Sequence, residues 1–446
     1  MSTRPKISWS ELRGSTVGVW GLGVEGRANL RRLDALGATA VLVDDHPGSS
    51  EEGSRPVVAT GAGGLAELAR CDVVVKSPGI SRYRGEVRQL EAGGVPVVGG
   101  LGLWLQEADP ARVACITGTK GKSTTTSIAG HLLTRLGYDC LVGGNIGVPP
   151  WDPGVGDRHD FWVVETSSFQ APDLASSPRT VAVTSLHPDH LDWHGDRSRY
   201  FADKLSACTQ PGADLTIADG HDRLLRANAD LLGPRTHWVA DEGRATEPWT
   251  GALGLVGAHN RRNALMARQV LVALGIPEAA DEEALTRAAS GYRGLDSRLR
   301  NIGSAGGVDF VDDSLSTNVL SSVAALEAFP TRRVAILVGG HDRGIDYAEL
   351  ARAIVARERP TLVVTMPGSG PRIGAAVAAL GRSSVPVLDR GDLAQAARDA
   401  WEWARPGGVV LLSPASPSFG AFRDYRDRSV AFVAAMRSCE SAAAQG

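Results

Sequence analysis

The feature of this sequence that most constrains its fold is a glycine-rich loop with two lysines, TGTKGKST at residues 117–124. It follows an apolar run at 112–116 that is typical of a buried strand, and a helix is predicted to begin near Ser123. The Gly-Lys-Ser of a P-loop is present, although Ile116 replaces the first glycine of the standard spacing. In such a loop backbone N–H groups bind phosphates, Lys122 reaches the β and γ oxygens, and the Ser123 hydroxyl ligates magnesium. The pattern predicts an α/β fold that binds a nucleoside triphosphate.

Lysine is rare in this chain, so its positions carry information. Of the 47 basic residues only five are lysine, and arginine is used almost everywhere that a positive charge suffices. A retained lysine suggests a site that needs a compact ammonium, or an amine able to deprotonate and react, which guanidinium does not supply. Two of the five lie in the P-loop. The five are Lys6, Lys76, Lys120, Lys122 and Lys204.

Apolar, β-rich runs alternate with helical stretches along the chain, which predicts parallel sheets built from βα units. The alternation starts afresh before the P-loop and again after Arg298. We therefore expect three consecutive doubly wound α/β domains: a Rossmann-like domain at 1–108, a central P-loop domain at 109–298, and a second Rossmann-like domain at 299–446. The predicted strands lie at residues 16–20, 40–43, 72–75, 95–98, 112–116, 161–164, 180–183, 308–311, 333–338, 362–364 and 409–412.

A second glycine motif, G-x-G-x-x-G at residues 21–26, directly follows the first predicted strand. Asp44 and Asp45 end the next strand about 20 residues further on, as in a dinucleotide-binding fingerprint. The glycines only let the backbone and a helix N-terminus approach a diphosphate, whatever nucleoside carries it. A dinucleotide, a UDP-sugar and a tight turn without a ligand all stay open on this motif alone.

Three further polar groups follow in apolar surroundings. Glu165 closes a predicted strand, where a carboxylate can face bound phosphate and its metal. The run HPDHLD at residues 187–192 contains two imidazoles and two carboxylates, although a lone histidine such as His190 is more often structural. Lys204 fits a solvated helix position or, as the last of the five lysines, a reactive site.

Composition argues against several other classes of protein. A net charge of -3 offers no basic surface for nucleic acid, and no apolar run approaches the roughly 18 residues of a membrane span. The N-terminus lacks the apolar region of a signal peptide, so we expect a cytoplasmic protein. Five widely spaced cysteines without a CxxC pair indicate neither a disulfide framework nor a zinc site.

A series of motifs runs through nearly the whole chain. They are GTKGKST at 118–124, GNIG at 144–147, ETSSFQ at 165–170, DHLD at 189–192, Lys204, GAHN at 257–260 with Asn263, Arg298, and LSPA at 412–415. In kind and order they resemble the motifs of the Mur ligases, and within them those of the MurD branch. The resemblance implies a UDP-substrate domain, a central ATPase domain and a C-terminal domain that binds an amino acid. It further implies that a monomer joins glutamate to UDP-N-acetylmuramoyl-L-alanine in peptidoglycan synthesis, through an acyl phosphate, with ATP and two Mg2+ ions.

The resemblance also implies roles for individual residues. Lys122, His190 and Lys204 would be catalytic. Ser123 and Glu165 would hold one magnesium ion, and His190 with a carbamylated Lys204 the second. ATP would contact Gly118, Thr119, Lys120, Gly121, Lys122, Ser123, Thr124, Asn260, Asn263, Arg298 and Asp313. The UDP moiety would contact Gly21, Gly23, Gly26, Asp44, Ser77 and Gly79 in turns at 21–26 and 76–79, and muramoyl-alanine would contact Asn145, Ser167 and Gln170. The amino acid would contact Thr317, Arg343, Ser418 and Phe422.

The C-terminal motifs depart from the family pattern where glutamate should bind. Residues 313–318 read DSLSTN where such ligases carry DSKATN, so Leu315 replaces a lysine. Residues 339–344 read GGHDRG instead of GGD-x-K, and Arg343 would inherit the carboxylate contact. Residues 413–422 read SPASPSFGAF instead of SPAxASxDxF. The three changes suggest an altered specificity, with L-glutamate as the alternative to the usual D-glutamate.

Three other functions stay open at this point. A folylpolyglutamate-synthase-like ligase would share the ATPase centre, but that type has no separate UDP domain. A nicotinamide-dependent oxidoreductase would rest on the motif at 21–26 and would leave the P-loop and Lys204 unexplained. A non-catalytic nucleotide-binding regulator would not need Lys122, Glu165 and His190 together.

Overall fold

The computed structural model of the chain describes residues 4–240, 247–381 and 385–444. Within these ranges the strands form three six-stranded sheets, one in each of the three predicted segments. The chain divides into two compact units, Met1–Leu253 with Arg262–Tyr292 and Gly254–Arg261 with Arg293–Gly446. The first unit contains the first two sheets, and the second unit contains the third.

The first sheet is parallel apart from a short strand at one edge. Its strands are β1 (Thr16–Trp20), β2 (Thr39–Asp44), β3 (Glu51–Glu52), β4 (Arg55–Ala59), β5 (Val73–Lys76) and β6 (Val97–Gly99). Their order is β3-β4-β2-β1-β5-β6, with β3 antiparallel to β4. Strands β1 and β5 are apolar on both faces because helices cover both sides of the sheet. The helices are α1 (Val24–Leu36), α2 (Gly64–Leu68), α3 (Gly85–Ala92) and α4 (Gly100–Leu105).

The second sheet is parallel at each of its five strand pairings in the described ranges. Its strands are β7 (Val113–Thr117), β8 (Cys140–Gly144), β9 (Phe161–Glu165), β10 (Thr180–Val183), β11 (Leu215–Asp219) and β12 (Thr236–Val239), in the order β12-β11-β10-β7-β9-β8. The helices of this segment are α5 (Lys122–Arg135), α6 (Leu191–His194), α7 (Arg197–Leu205), α8 (Arg223–Ala227), α9 (Pro248–Ala252), α10 (Ala258–Ala273) and α11 (Glu282–Ala289).

The third sheet begins with an antiparallel hairpin and continues with parallel strands. Its strands are β13 (Arg300–Ala305), β14 (Val308–Asp312), β15 (Val334–Gly340), β16 (Thr361–Gly368), β17 (Val387–Asp389) and β18 (Val409–Leu412), in the order β13-β14-β18-β15-β16-β17. Its helices are α12 (Val319–Glu327), α13 (Ala348–Val355), α14 (Gly370–Ala379), α15 (Leu393–Ala404) and α16 (Tyr425–Ala443). Every predicted strand overlaps an observed one, so the predicted three-domain α/β fold is confirmed.

The order of the strands brings the predicted motifs together. Strand β7 lies between β9 and β10, so the loops that follow these three strands adjoin at one edge of the second sheet. Those loops carry the P-loop, the segment after Glu165, and the HPDHLD run. In the third sheet β14, β18 and β15 are neighbours, and the loops that follow them carry the three departures from the family pattern. None of the helices in the described ranges has the length and apolarity of a membrane span.

Candidate active site

The P-loop forms the turn between β7 and α5, and two of its glycines are required by the geometry. Gly118 and Gly121 adopt φ angles of +133° and +89°, in the region where L side chains are strained. A Cβ on Gly118 would overlap Thr184, and a Cβ on Gly121 would overlap the side chain of Asn263. Ser123 is buried in the first turn of α5. A side chain at either glycine would therefore disturb the conformation of this loop.

The loop after β10 supports the P-loop from one side. The Thr119 N–H donates to the Ser185 carbonyl oxygen and the Lys120 N–H donates to the Ser185 hydroxyl, both at 2.8 Å. The backbone N–H groups of Lys122 to Thr124 lie in the first turn of α5. Helix N-termini commonly bind anions, so these N–H groups are placed to donate to a phosphate.

Glu165 ends β9 and has the chemistry of a metal ligand. It is buried, and its Oε1 accepts a hydrogen bond from Asn145 Nδ2 at 2.6 Å. Its Oε2 is buried without a hydrogen-bond partner among the described residues. A buried carboxylate oxygen is costly to leave unpaired, and Mg2+ takes carboxylate and hydroxyl oxygens. Glu165 therefore fits the predicted magnesium site, with Asn145 orienting its carboxylate.

Lys204 is buried on α7, so the solvated alternative for this lysine is wrong. Its Nζ donates to the Gly118 carbonyl oxygen at 3.0 Å and lies 5.2 Å from the centre of the Tyr200 ring. Burial, together with the charges of Lys122 and Lys120, lowers the pKa of the Lys204 amine well below its usual value. A larger share of this amine is therefore uncharged and nucleophilic than in an exposed lysine.

His190 lies in the loop after β10, with its side chain about half exposed at 51%. It adopts a φ of +49°, and its ring lies 5.0 Å from that of Phe169. Burial, with the charges of Lys204 and Lys120, lowers the pKa of His190 against the opposing effect of Asp189. The neutral imidazole that results is the form that binds metals. Among the described residues no three His, Cys, Asp or Glu side chains form a ligand cluster.

A buried histidine that the sequence analysis missed lies next to these groups. His194 is 1% exposed, and its Nδ1 is 2.7 Å from Asp203 Oδ2 while its Nε2 is 3.1 Å from the Ser168 hydroxyl. The other oxygen of Asp203 accepts from the Tyr83 hydroxyl. The chain of contacts joins the first segment, the loop after β9 and the helix that carries Lys204. In the sequence, the hint that His194 lies near these groups was its position, four residues after His190.

The turn at residues 21–26 packs closely against the turn after β5. Gly21 adopts a φ of +90°, and its carbonyl oxygen accepts from the Ser77 hydroxyl at 2.6 Å. Asp44, predicted to contact the UDP moiety, accepts the N–H groups of Leu22 at 2.7 Å and His46 at 2.9 Å. Its carboxylate therefore braces the turn from the next strand.

A cavity of about 1000 Å3 opens in the first sheet's segment, where β2 and β4 end. Polar side chains on its wall include Asp45, His46, Thr60, Arg70 and Arg84. Asp45 accepts from the Thr60 hydroxyl at 2.8 Å and forms an ion pair with Arg84. A cavity of this size holds a nucleoside-sized ligand. Asp45 could be recognised in the sequence because it ends a predicted strand, whereas the other lining residues belong to no motif recognised there.

Lys76, which the sequence analysis placed in the turn at 76–79, is fully buried at the end of β5. Its ammonium and the Arg82 guanidinium both pair with Asp173, at 2.5 Å each. Burial alone would raise the pKa of Asp173, but the charges of Lys76 and Arg82 outweigh it and hold that pKa below its usual value. Lys76 is therefore engaged in an interior ion triad, and the turn presents Ser77 and Gly79 instead.

Three residues predicted to contact ATP belong to the second compact unit, namely Asn260, Arg298 and Asp313. Asn260 is buried, and its Nδ2 donates to the Val256 carbonyl oxygen at 2.9 Å. Burial raises the pKa of Asp313 to about 7, although hydrogen bonds from neighbouring hydroxyls lower it. Asn263, predicted to act with them, belongs to the first unit, where the Thr125 hydroxyl donates to its Oδ1 at 3.4 Å.

The loops after β15 and β18 are joined by backbone hydrogen bonds. The Gly339 N–H donates to the Pro414 carbonyl oxygen at 3.0 Å, and the His341 N–H donates to that of Pro417 at 2.8 Å. Gly340 between them has a φ of +143°. Two of the departures from the family pattern are therefore in direct contact.

The loop after β14 is tied to the same place by a buried cation. Arg428, on α16, is 1% exposed and donates through Nη2 to the carbonyl oxygens of Ser314 at 2.7 Å and Ser416 at 3.2 Å. The Ser413 hydroxyl donates to Asp313 Oδ2 at 2.7 Å. All three departures thus lie at one end of the third sheet. Of the residues predicted to contact the amino acid, Ser418 is buried, Thr317 and Phe422 are half-buried, and Arg343 is exposed.

Comparison with known proteins identifies the relatives of this chain. The model of the Mur ligase middle domain matches residues 116–245, and that of the Mur ligase glutamate ligase domain matches 297–416. A UDP-N-acetylmuramoyl-L-alanine–L-glutamate ligase of Micromonospora sp. is 41% identical, over 96% of this chain and 98% of the relative. The chain belongs to the Mur ligase family. Relatives of the same name from Salinispora tropica, covering 96% of this chain and 98% of the relative, and Xanthomonas euvesicatoria, covering 95% of each, are both 39% identical.

Solved Mur ligases share the fold. The UDP-N-acetylmuramate–alanine ligase MurC of Thermotoga maritima aligns with a TM-score of 0.57 at 19% identity, over 95% of this chain and 99% of that one. MurF of the same organism, solved with ADP, aligns with a TM-score of 0.52 at 16% identity over 98% of each chain. As a Mur ligase the chain is an ATP-dependent ligase that forms ADP. The oxidoreductase and regulator alternatives are therefore wrong.

Proposed function

We propose that this Mur ligase joins L-glutamate to UDP-N-acetylmuramoyl-L-alanine, forming an amide as ATP is converted to ADP and phosphate. The observation that carries the ligase chemistry is the placement of two buried groups around the P-loop. Lys204 Nζ lies 3.0 Å from the Gly118 carbonyl oxygen, and one oxygen of Glu165 on the neighbouring strand has no hydrogen-bond partner within the part of the chain that the structure describes. The substrate is supported by relatives with that printed name, which match at least 95% of this chain.

The P-loop and its neighbours would hold ATP and its metal. Lys122 and the first-turn N–H groups of α5 would bind the phosphates, and Ser123 with Glu165 would hold one magnesium ion. His190 and a carbamate on Lys204 would hold a second. Bound magnesium supplies Lewis-acid stabilisation of the charge on the transferred phosphoryl group. The buried oxygen of Glu165 and the low pKa of the Lys204 amine both favour these assignments.

The reaction has two chemical steps. The alanyl carboxylate attacks the γ-phosphorus of ATP, ADP leaves, and an acyl phosphate forms. The glutamate amine, after losing a proton, attacks the acyl carbon, and the tetrahedral intermediate collapses to the amide with loss of phosphate. Lys122 favours the first step because its ammonium neutralises charge that gathers on the phosphoryl oxygens. Asn145, Ser167 and Gln170 would line the path of the muramoyl-alanine chain.

The choice of L-glutamate rests on the three altered loops of the third sheet. Enantiomers carry the same groups, so discrimination depends on where the two carboxylates find partners when the amine points at the acyl phosphate. Leu315 supplies no cation, whereas Arg343 supplies one from the loop after β15. A cation at a different place in the site favours a different position for the glutamate carboxylate. Each charge-assisted hydrogen bond to that carboxylate contributes about 1.5–3 kcal/mol. The names of the relatives point to the same enantiomer.

Parallel steady-state assays with each enantiomer test this proposal. Purified enzyme with ATP and UDP-N-acetylmuramoyl-L-alanine should release phosphate with L-glutamate at least as efficiently as with D-glutamate. If D-glutamate is used and kcat/KM for L-glutamate is more than about 100-fold lower, on the scale of one unpaired polar site, the L-glutamate proposal is wrong. The enzyme would then be a standard D-glutamate ligase. Phosphate release with a folate in place of the UDP substrate would instead identify the folylpolyglutamate-synthase-like alternative.

A further inference from the structure

A carboxylate occupies the turn that is proposed to hold the UDP diphosphate. Glu25 is the second residue of α1 and lies between Gly23 and Gly26 of the glycine motif. Its side chain is half-buried, and Oε1 accepts a hydrogen bond from Gln170 Nε2 at 2.7 Å. Helix N-termini bind anions, so a carboxylate here repels the expected ligand. The helix dipole favours an acidic residue at this position, but a carboxylate beside a bound diphosphate needs a further reason.

The contact with Gln170 supplies that reason. Gln170 is 3% exposed, and its Oε1 accepts the Ser167 N–H at 2.7 Å, while the Ser167 hydroxyl accepts the Gln170 N–H at 3.2 Å. An amide has one accepting end and one donating end, whereas an ionised carboxylate only accepts. Glu25 therefore accepts a hydrogen bond from Nε2 of Gln170, which leaves Oε1 of Gln170 to accept from the Ser167 N–H. The orientation of Gln170, and with it the loop after β9, follows from Glu25.

We propose that Glu25 is a positioning residue that ties the diphosphate-binding turn to the loop that receives the muramoyl-alanine carboxylate. The inference rests on the proposed function, because it needs a substrate that spans both places. The hydrogen bond joins two motifs separated by 145 positions in the chain. When the diphosphate of the substrate binds at the turn, the loop after β9 is already oriented to receive the alanyl carboxylate.

The Glu25 carboxylate also makes binding of the UDP substrate depend on pH. Burial raises the pKa of Glu25 to about 7, the Gln170 hydrogen bond and Lys76 on β5 lower it, and Asp173, three residues after Gln170, raises it. A diphosphate on the turn adds like charge and raises that pKa further. The substrate's diphosphate diester and alanyl carboxylate titrate far below pH 7. Substrate binding should therefore take up a proton at Glu25, and affinity should fall as pH rises above about 7.

Calorimetry in buffers of different ionisation enthalpy measures that proton directly. With UDP-N-acetylmuramoyl-L-alanine at pH 7.5, wild-type enzyme should take up roughly half to three quarters of a proton, because a group with a pKa of about 7 is already about a quarter protonated in the free enzyme. Kd should rise up to about tenfold per pH unit between pH 7.5 and 9. Glu25→Gln should bind with no such uptake, because its amide still accepts from Gln170 but does not titrate. Asp34→Asn is the matched control, since Asp34 is exposed in the last turn of the same helix and should leave the uptake unchanged.

Kinetics test the positioning role separately. Glu25→Ala should lower kcat/KM for the UDP substrate about tenfold, because the buried Gln170 amide loses its acceptor whether Glu25 is ionised or protonated, and should leave the KM for ATP unchanged. Glu25→Gln should restore most of that loss at pH 7. Wild-type proton uptake in Glu25→Gln, or a Glu25→Ala enzyme within twofold of wild type, would overturn this inference alone. Absence of substrate binding by the wild type would overturn the proposed function as well.

Discussion

Replacing Lys122 by alanine is expected to lower the rate of ATP turnover by at least about 100-fold and to leave the fold intact. The ammonium lies 3.3 Å from the Thr119 carbonyl oxygen inside the P-loop, so the side chain adds no apolar packing to the core. Removal of one donor that stabilises charge in a transition state costs roughly 100-fold to 1000-fold in kcat. Phosphate release with UDP-N-acetylmuramoyl-L-alanine and glutamate measures the loss, and circular dichroism verifies the fold.

The opposite end of the same helix supplies the control for this variant. Arg135 is exposed in the last turn of α5, and Arg135→Ala should keep the wild-type rate. This pair separates a local phosphate contact from a general loss of positive charge on the helix. A Lys122→Ala enzyme with more than about a tenth of wild-type activity would contradict the assignment, because a donor of this kind contributes more.

Lys204→Ala is expected to lose at least about 100-fold of activity, the scale on which electrostatic groups of active sites act, and to regain part of it with acetate or formate. The buried amine has a pKa well below its usual value, first because of burial and then because of Lys122 and Lys120. An uncharged amine can capture carbon dioxide, and the carbamate provides an anionic oxygen for magnesium. A small carboxylate can replace that oxygen in the space left by the alanine variant.

The arginine variant distinguishes a carbamate from a simple cation. Lys204→Arg keeps a positive charge but does not form the carbamate, so it should be as inactive as the alanine variant and should not respond to carboxylates. Arg197, exposed at the start of α7, provides the control, and Arg197→Ala should behave as wild type. Full activity of Lys204→Arg would show that only positive charge is needed.

The sequence predicted those strands whose side chains are buried on both faces. Strands β7 and β18 are buried throughout and read as continuous apolar runs. Strands β12 and β17 lie at sheet edges, with most of their residues partly or fully exposed, and neither was predicted. The interior strand β11 was also missed, because Thr216 and Asp219 interrupt its apolar run. Whether such a segment forms a strand depends on its neighbours in the folded sheet, which the local pattern does not show.

The residues of the candidate site also divide into those that the local sequence reveals and those that only the fold brings together. The P-loop and Glu165 could be found because local spacing marks them, and Lys204 because lysine is rare in this chain. The contact of Glu25 with Gln170 could not, since 145 positions separate the two residues. His194 likewise acquires its partners only when α6, α7 and the loop after β9 come together. Pairing across such distances is a property of the folded sheet order and has no local pattern.

Arg428 has a consequence for how amino-acid preference in this enzyme can change. One buried guanidinium binds the backbone of the loops after β14 and β18, and the latter loop is bonded to the one after β15. At the proposed amino-acid site, a substitution in one of the three loops is therefore expected to shift the other two, so that amino-acid preference should be an epistatic trait. Libraries that vary one loop at a time would mostly yield poor enzymes, whereas libraries that vary the three loops together around a constant Arg428 can move between amino acids.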